Sequence, residues 1–506
     1  WVLNHARLTL AVAVATLVLT VLLYMFIPKG FFPVQDTGVI EGISQGTQTT
    51  SYAAMAQHQQ ELADALLKDP DVVSLTSYIG VDGTNTTLNQ GRFLINLRPK
   101  GQRSLTAAQL IPRLNQEVRD IPGISLYLQP VQDLTLDTTI SPTQYQFVLE
   151  DPNSGDFTTY VPKLVQKLKT LPQISDVASS LQAAGNSVYI DINRTNAARF
   201  GITPATVDSA LYDAFGQRII STIFTQSDQF RVIMGVSPDR MTSVASLGNI
   251  YLPSSSASGG QVPLSAIATF TVQKASLVIQ HLGQFPATTI SFNLAPGAAL
   301  GPAVNTIERA EKQEQLPKAM QTSFQGAAAQ FQNSLSNEVY LLIAAIIAVY
   351  IVLGVLYESF VHPITILSTL PSAGIGALIF LWLAGDGLGV IGIIGIVLLI
   401  GIVKKNAIMM IDFALHAERH EGKPPREAIH EAALLRFRPI LMTTLAAMLA
   451  GLPLIFGGGM GSELRAPLGI AIVGGLLVSQ VLTLFTTPVI YLAFDALALR
   501  LRRRAA

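Results

Sequence analysis

The chain has 506 residues, 49% of them hydrophobic and only 13% charged, with a formal net charge of zero. Its length exceeds one ordinary domain, and soluble globular chains carry nearer a quarter charged residues, so the composition points away from a wholly soluble protein. The balanced charge suggests no nucleic-acid partner, and the lack of cysteine excludes disulfides and thiolate metal sites.

The chain opens at Trp1 without a methionine, and residues 1–7 lack a signal-peptide pattern, which reads as processing or truncation. Residues 8–27 are the first of six apolar runs long enough to cross a bilayer, which takes roughly 20 helical residues. About 310 residues of ordinary soluble composition separate it from the second run. Within them, 38–45 alternates as a strand, 52–67 has a helical period, 72–78 and 92–97 are strands, 106–118 is a helix and 124–128 a strand. That order, β-α-β-β-α-β, is the ferredoxin-like unit. A second unit is expected in two pieces. Segments 145–149, 157–170 and 174–179 read strand, helix, strand, and 288–294, 300–314 and 321–324 repeat that order. Between them, 188–282 forms an insertion with its own strands, 230–236 and 264–271 among them, and a helix near 204–215.

The other apolar runs are 339–356, 363–384, 388–413, 439–456 and 467–494. Segment 414–438 is expected as a polar connection carrying Arg419, Lys423, Arg426, Arg436 and Arg438. Segment 457–466 is glycine-rich, and 500–504 contains four arginines. Cytoplasmic loops collect Lys and Arg. That rule places 414–438, the tail and, with six spans, the amino end (Arg7) in the cytoplasm. The large domain and 457–466 then face the periplasm of a two-membrane bacterium. The expected fold class is a polytopic α-helical membrane domain of six transmembrane helices with a large α+β periplasmic domain of ferredoxin-like units.

No signature of catalysis is present: no Walker run, no H-E-x-x-H, no G-x-S-x-G and no dinucleotide fingerprint. The histidines never cluster at metal-ligand spacing. The chain is not expected to be an enzyme, and active transport would draw on something other than ATP. The chemistry concentrates in G-I-V-K-K-N-A-I-M-M-I-D at 401–412. A lysine at mid-membrane costs about 2.5–3.5 kcal/mol even on the lenient insertion scale. Lys404 and Lys405 are about 100° apart on a helix, so both cannot face one way. One can point to an aqueous route and the other into the bundle, where it needs a carboxylate or must lose its proton. Asp412, Glu338, Glu358, Asp386 and Asp495 all fall near helix ends, so the partner is expected from another chain or another part of the protein. Thr443 and Thr444 are candidate polar neighbours, and Asn406 can bridge to an adjacent helix. Gly395, Gly401, Gly474 and Gly475 would permit close helix approach.

Four stretches carry a resemblance: F-I-P-K-G-F-F-P at 26–33, L-Y-E-S-F at 356–360, G-I-V-K-K-N-A-I at 401–408 and L-R-F-R-P-I-L-M-T at 435–443. Over essentially its whole length the chain resembles the carboxy-terminal half of a resistance-nodulation-division (RND) multidrug efflux pump subunit, closest to the MdtB type of the tandem-gene pumps. The resemblance implies helices seven to twelve of the full subunit. It implies a first porter subdomain at 36–146, a second split between 147–189 and 281–325, and a docking insertion at 190–280. It implies a homo- or heterotrimer, a periplasmic adaptor, an outer-membrane channel and amphiphilic substrates, with the proton gradient as energy source and no cofactor. The relay aspartates lie in the amino-terminal half of the family. Their lysine matches Lys405, with Lys404 a weaker choice, the relay threonine matches Thr443, and Arg436 matches an arginine near the proton exit. A family loop between two drug pockets matches 78–92, with Tyr78, Gly80, Gly83 and Gly91; it lacks the phenylalanines of well-studied pumps. Two rival readings remain: a proton-coupling or structural subunit of a mixed trimer that binds no substrate, and a proton-driven protein-export component.

Overall fold

The structure, a computed structural model, describes residues 1–80, 87–136, 140–182, 184–237, 240, 243–256 and 260–505, with side chains throughout except at 335–339, 342 and 498–505. Contacts divide the chain into two units, one of residues 1–46, 51–181 and 279–506, the other of 47–50 and 182–278.

In the first unit, α1 (Ala6–Phe26) is apolar on all sides and ends just before Pro28. The chain then enters β1 (Val39–Gly46), α2 (Tyr52–Leu66), β2 (Val72–Ile79), β3 (Gln90–Leu97), α3 (Ala107–Val118) and β4 (Ile124–Pro130). All pairings are antiparallel, in the order β2-β3-β1-β4. Alternation sends Ile40, Phe93, Ile95 and Leu128 into a core with Leu62 and Leu66 of α2 and Leu110 and Leu114 of α3. Ser51 caps α2, and a Thr106–Gln109 capping box starts α3. Next come β5 (Tyr145–Glu150), α4 (Gly155–Lys169) and β6 (Ile174–Ser179).

The second compact unit follows. It contains β7 (Gly185–Ile192), α5 (Arg194–Arg199), α6 (Pro204–Phe215), the hairpin β8 (Arg218–Phe224) and β9 (Gln229–Met234), β10 (Tyr251–Pro253), β11 (Gln261–Pro263) and β12 (Ala268–Ala275). Strands β7 and β12 pair from Gly185↔Ala275 to Ile192↔Ala268. Val207, Leu252, Leu264 and Ile267 form its core. The strand expected at 264–271 starts late, because Leu264–Ala266 coils into a 3-10 turn after Pro263.

Back in the first unit, the chain forms β13 (Gln280–Leu282), β14 (Phe285–Leu294), α7 (Leu300–Gln313) and β15 (Gln321–Gln325). Strand β14 pairs with β6 and β5, and β5 with β15. The order β6-β14-β5-β15 repeats that of β2-β3-β1-β4. Phe147, Phe292 and Phe324 pack with Val161, Leu164 and Ile307 beneath it.

The remaining helices are α8 (Gly326–Tyr357), α9 (Val361–Leu367), α10 (Leu370–Leu383), α11 (Val390–Glu421), α12 (Pro425–Phe456) and α13 (Ser462–Ala505). Among the described residues five helices are long and apolar enough to cross a membrane, namely Val2–Phe26, Val361–Leu383, Val390–Glu421, Pro425–Phe456 and Ser462–Leu497, and Ile343–Tyr357 is a shorter apolar helix within α8. Two expectations are corrected. The polar connection at 414–438 is almost wholly helix: α11 runs to Glu421, Gly422 caps it at φ +68, and α12 starts at Pro425. Charged residues there extend the helices beyond their apolar parts. Likewise α13 begins at Ser462, so 457–466 is only half loop. The span expected at 363–384 is met by Val361–Leu383, with a short turn between α9 and α10 just before Pro371.

Glycines set the closest helix approaches. A Cβ on Gly376 would fall 2.5 Å from the Gly474 carbonyl, and one on Gly395 2.8 Å from Ala471 Cβ. Gly401, expected to act likewise, faces open space. The stretch after α1 lies against the α10–α11 turn through Leu388 N to Pro28 O (2.8 Å), Gly30 N to Leu388 O (3.2 Å) and Val390 N to Phe31 O (3.1 Å).

Candidate functional sites: a charged membrane helix and a polar cleft

Lys404 and Lys405 lie in the middle turns of α11, Lys404 half-buried and Lys405 exposed. Among the described residues no carboxylate lies within ion-pair distance of either ammonium. The next residue, Asn406, is buried and donates from Nδ2 to Thr444 Oγ1 on α12 at 3.0 Å. Thr444 in turn donates to Ile440 O at 2.9 Å, so its hydroxyl both accepts and donates. Thr443 is exposed and donates only to its own helix, at Ile440 O (3.1 Å). Lys405 and Thr443 are therefore the exposed neighbours of a buried clasp between α11 and α12. Arg436 stands apart from them. Its guanidinium sits 5.1 Å from the Phe413 ring centroid, and its buried Nε has no partner among the described residues.

The loop residues are placed by a polar knot behind the first sheet. Gln59 of α2 is buried; its Oε1 accepts from Ser44 Oγ (2.6 Å), and its Nε2 donates to Ser77 Oγ (2.9 Å) and to the Tyr78 and Arg92 carbonyls (3.4 Å each). Tyr78 thus holds the knot through its backbone while its ring is exposed. A Cβ on Gly91 would lie 2.7 Å from both Gln59 Oε1 and Ser44 Oγ, so the knot requires glycine there. Gly80 turns the chain at φ +85 and donates to Gln90 O at 3.1 Å. Gly83 lies outside the described residues.

The other face of this sheet, with Glu41, Ile43 and Arg92, looks away from the core. Arg92 pairs with Glu41 at 2.6 Å. A cleft of about 400 Å³ lies between this face and the β5–β14 sheet, lined by Gln45, Arg92, Gln146, His281, Ser291 and Gln325 among others. Among the described residues that line it, none is Phe, Tyr or Trp. These residues escaped the reading of the sequence; the signal present was polar residues at alternate positions of two core-forming strands.

Apolar helices of membrane-spanning length, one of them carrying two lysines in its middle turns, joined to two α+β units of one strand order, define a polytopic membrane protein of the transporter type. The chain matches the model of the AcrB/AcrD/AcrF family over residues 1–495 and belongs to that family of RND transporters. Two crystal forms of a heavy metal efflux pump share its fold at 25% sequence identity, with TM-scores of 0.82 and 0.84, over 97% and 98% of this chain. The matches cover 50% and 52% of those pump chains, so the chain spans about half their length.

Proposed function

We propose that this chain is the carboxy-terminal half of an inner-membrane RND subunit, of the MdtB type, that expels amphiphilic compounds in exchange for protons. Six spans with both ends in the cytoplasm carry ferredoxin-like porter subdomains at 36–146 and at 147–189 with 281–325, and a docking insertion at 190–280. The subunit works in a homo- or heterotrimer with a periplasmic adaptor and an outer-membrane channel. The observation that carries this reading is Lys405, an exposed ammonium on a membrane-length helix with no carboxylate partner among the described residues. Burying such a charge against protein demands a counter-charge, and the relay aspartates of the amino-terminal half would supply it.

In the proposed cycle Lys405 pairs with those aspartates until they take protons from the periplasmic side. The weakened attraction frees the lysine toward Thr443, and helix shifts reach the porter subdomains through α1 and α8. A coupling of ~3 kcal/mol shifts populations about a hundredfold. Arg436 would serve the cytoplasmic exit, and Lys404 is not equivalent to Lys405. Lys405→Ala should therefore abolish drug resistance in cells making the complete protein at matched levels, with folding and assembly kept, while Lys404→Ala should do much less. Normal resistance in the Lys405 variant would remove the basis of this reading.

The cleft favours a second reading. Promiscuous drug pockets gain much of their grip from aromatic side chains, and this cleft has none among its lining residues. The chain would then contribute proton coupling in a mixed trimer while a sister subunit binds the drug.

A further inference from the structure

Two polar stripes, buried except at the half-buried His362, face each other between α9–α10 and α13. On α13, Ser479, Thr483, Thr487 and Tyr491 recur every fourth residue, which places them on one helix face. On α9 and α10, His362, Thr365, Thr369 and Ser372 recur at three and four. Ser372 Oγ meets Thr483 Oγ1 across the interface at 3.2 Å, and Thr483 meets Ser479 at 3.2 Å. At the other end the His362 ring stacks on Tyr491 with centroids 6.1 Å apart, and the Tyr491 hydroxyl donates to Glu418 Oε1 at 2.8 Å. Thr487 Oγ1 and both amide atoms of Gln480 are buried with no partner among the described residues.

Packing alone does not ask for this. Small residues let helices approach closely, and several of these hydroxyls also bond back to their own helix, Thr369 to Ile366 O at 2.8 Å for one. Alanine would pack as closely without burying a polar atom. Gln480 is too long for a spacer, and an unpaired buried amide costs about 1–3 kcal/mol. The contacts Leu399 with Gly475 and Glu418 with Tyr491 fix the register of α11 on α13. That register sets Ser479 and Gln480 at the depth of the two lysines. The stripe from Ser479 to Tyr491 covers about 18 Å at 1.5 Å per residue, more than half of a hydrocarbon core.

We propose that these facing stripes are a proton exit path, running from the depth of the lysines to the Glu418 carboxylate at the cytoplasmic end. The inference rests on the proton-driven reading above. Each hydroxyl accepts a proton on its oxygen and passes on its own, with water bridging the gaps, so the hydroxyls end unchanged. Glu418 gains one proton from the path and gives one to cytoplasmic water. Arg419 and Asp495 are the charged groups that act on both His362 and Glu418, and Tyr357 and Asp412 flank the same end.

The test is proton flux in proteoliposomes holding the complete transporter, driven by an imposed pH gradient and read with a trapped pH dye, with deoxycholate as the transported probe. Glu418→Gln keeps an acceptor for Tyr491 but cannot carry the proton. It and the isosteric Thr483→Val should lower the flux by about tenfold or more, while Thr483→Ser should stay near the unmodified rate. Unchanged flux in Glu418→Gln and Thr483→Val, beside a dead Lys405→Ala, overturns the path alone. A loss in Thr483→Ser equal to that in Thr483→Val also overturns it, since packing would then be the cause. No gradient-driven flux in the unmodified protein overturns the proton-driven reading together with the path.

Discussion

Gln59 shows how one side chain can dictate its neighbour's identity. Its amide ties three strands of the first sheet together, and Gly91 leaves the space that it fills. In Gly91→Ala the new methyl would force Gln59 or Ser44 to move, breaking a buried hydrogen bond at a cost of about 1–3 kcal/mol. Thermal unfolding in detergent should show a lower midpoint, partly restored by Gln59→Ala in the same chain; an unchanged midpoint would mean that the knot is slack. Glu117 on α3 is a second case. Its side chain is largely exposed, but partial desolvation raises its carboxyl above the ordinary range, and the nearby Asp69 adds to the rise. A carboxyl raised in the folded state favours folding only while protonated, and that contribution is lost as pH climbs through the raised value. At neutral pH Glu117 therefore weakens the fold. Glu117→Gln should raise the unfolding midpoint at pH 7, with the gain fading toward about pH 4. A gain that is the same at both pH values would point to another cause.

Helices α10 and α13 depend on glycine in a way that no flexible side chain can relieve. The atom that a Gly376 methyl would meet is the Gly474 carbonyl oxygen, part of the backbone. Gly376→Ala should push the two helices apart and cost about 1–3 kcal/mol, the usual penalty of overpacking. Accelerated proteolysis of the purified protein would report it, and native resistance would count against so tight a contact. Element existence was legible in the sequence because apolar length and strand alternation are strong local signals. Helix ends were less so. Hydropathy cannot separate a charged loop from the charged end of a long helix, which is why 414–438 reads as a connection. The better signal was E-G-K-P-P at 421–425, a glycine cap followed by proline at the next helix start. The lysines of α11 were visible at once, but which of them is covered depends on how α11 packs, and no local pattern encodes that. The knot at Gln59 and the lining of the cleft join residues far apart in the chain, so they too needed the fold.

At the scale of the whole molecule, the two α+β units are one design used twice, with a different filling between their second and third strands. In the first, β2 ends at Ile79 and β3 starts at Gln90; in the second, the chain leaves after Leu181 and returns at Ile279. The excursion begins and ends side by side, since Gly185 and Ala275 are partners across β7 and β12. Both ends of the inserted unit therefore lie on one pair of neighbouring strands. Adjacent ends on neighbouring strands are where grafts are tolerated best. Replacing 182–278 by a short Gly-Ser turn should leave the rest of the complete protein folded and membrane-inserted, with unfolding still cooperative by fluorescence-detected thermal melting. Aggregation of that deletion would show that the rest of the protein needs the inserted unit in order to fold. If the deletion folds, the junction between Leu181 and Ile279 is a place where a foreign reporter domain can be wired into a transporter without cutting through either sheet.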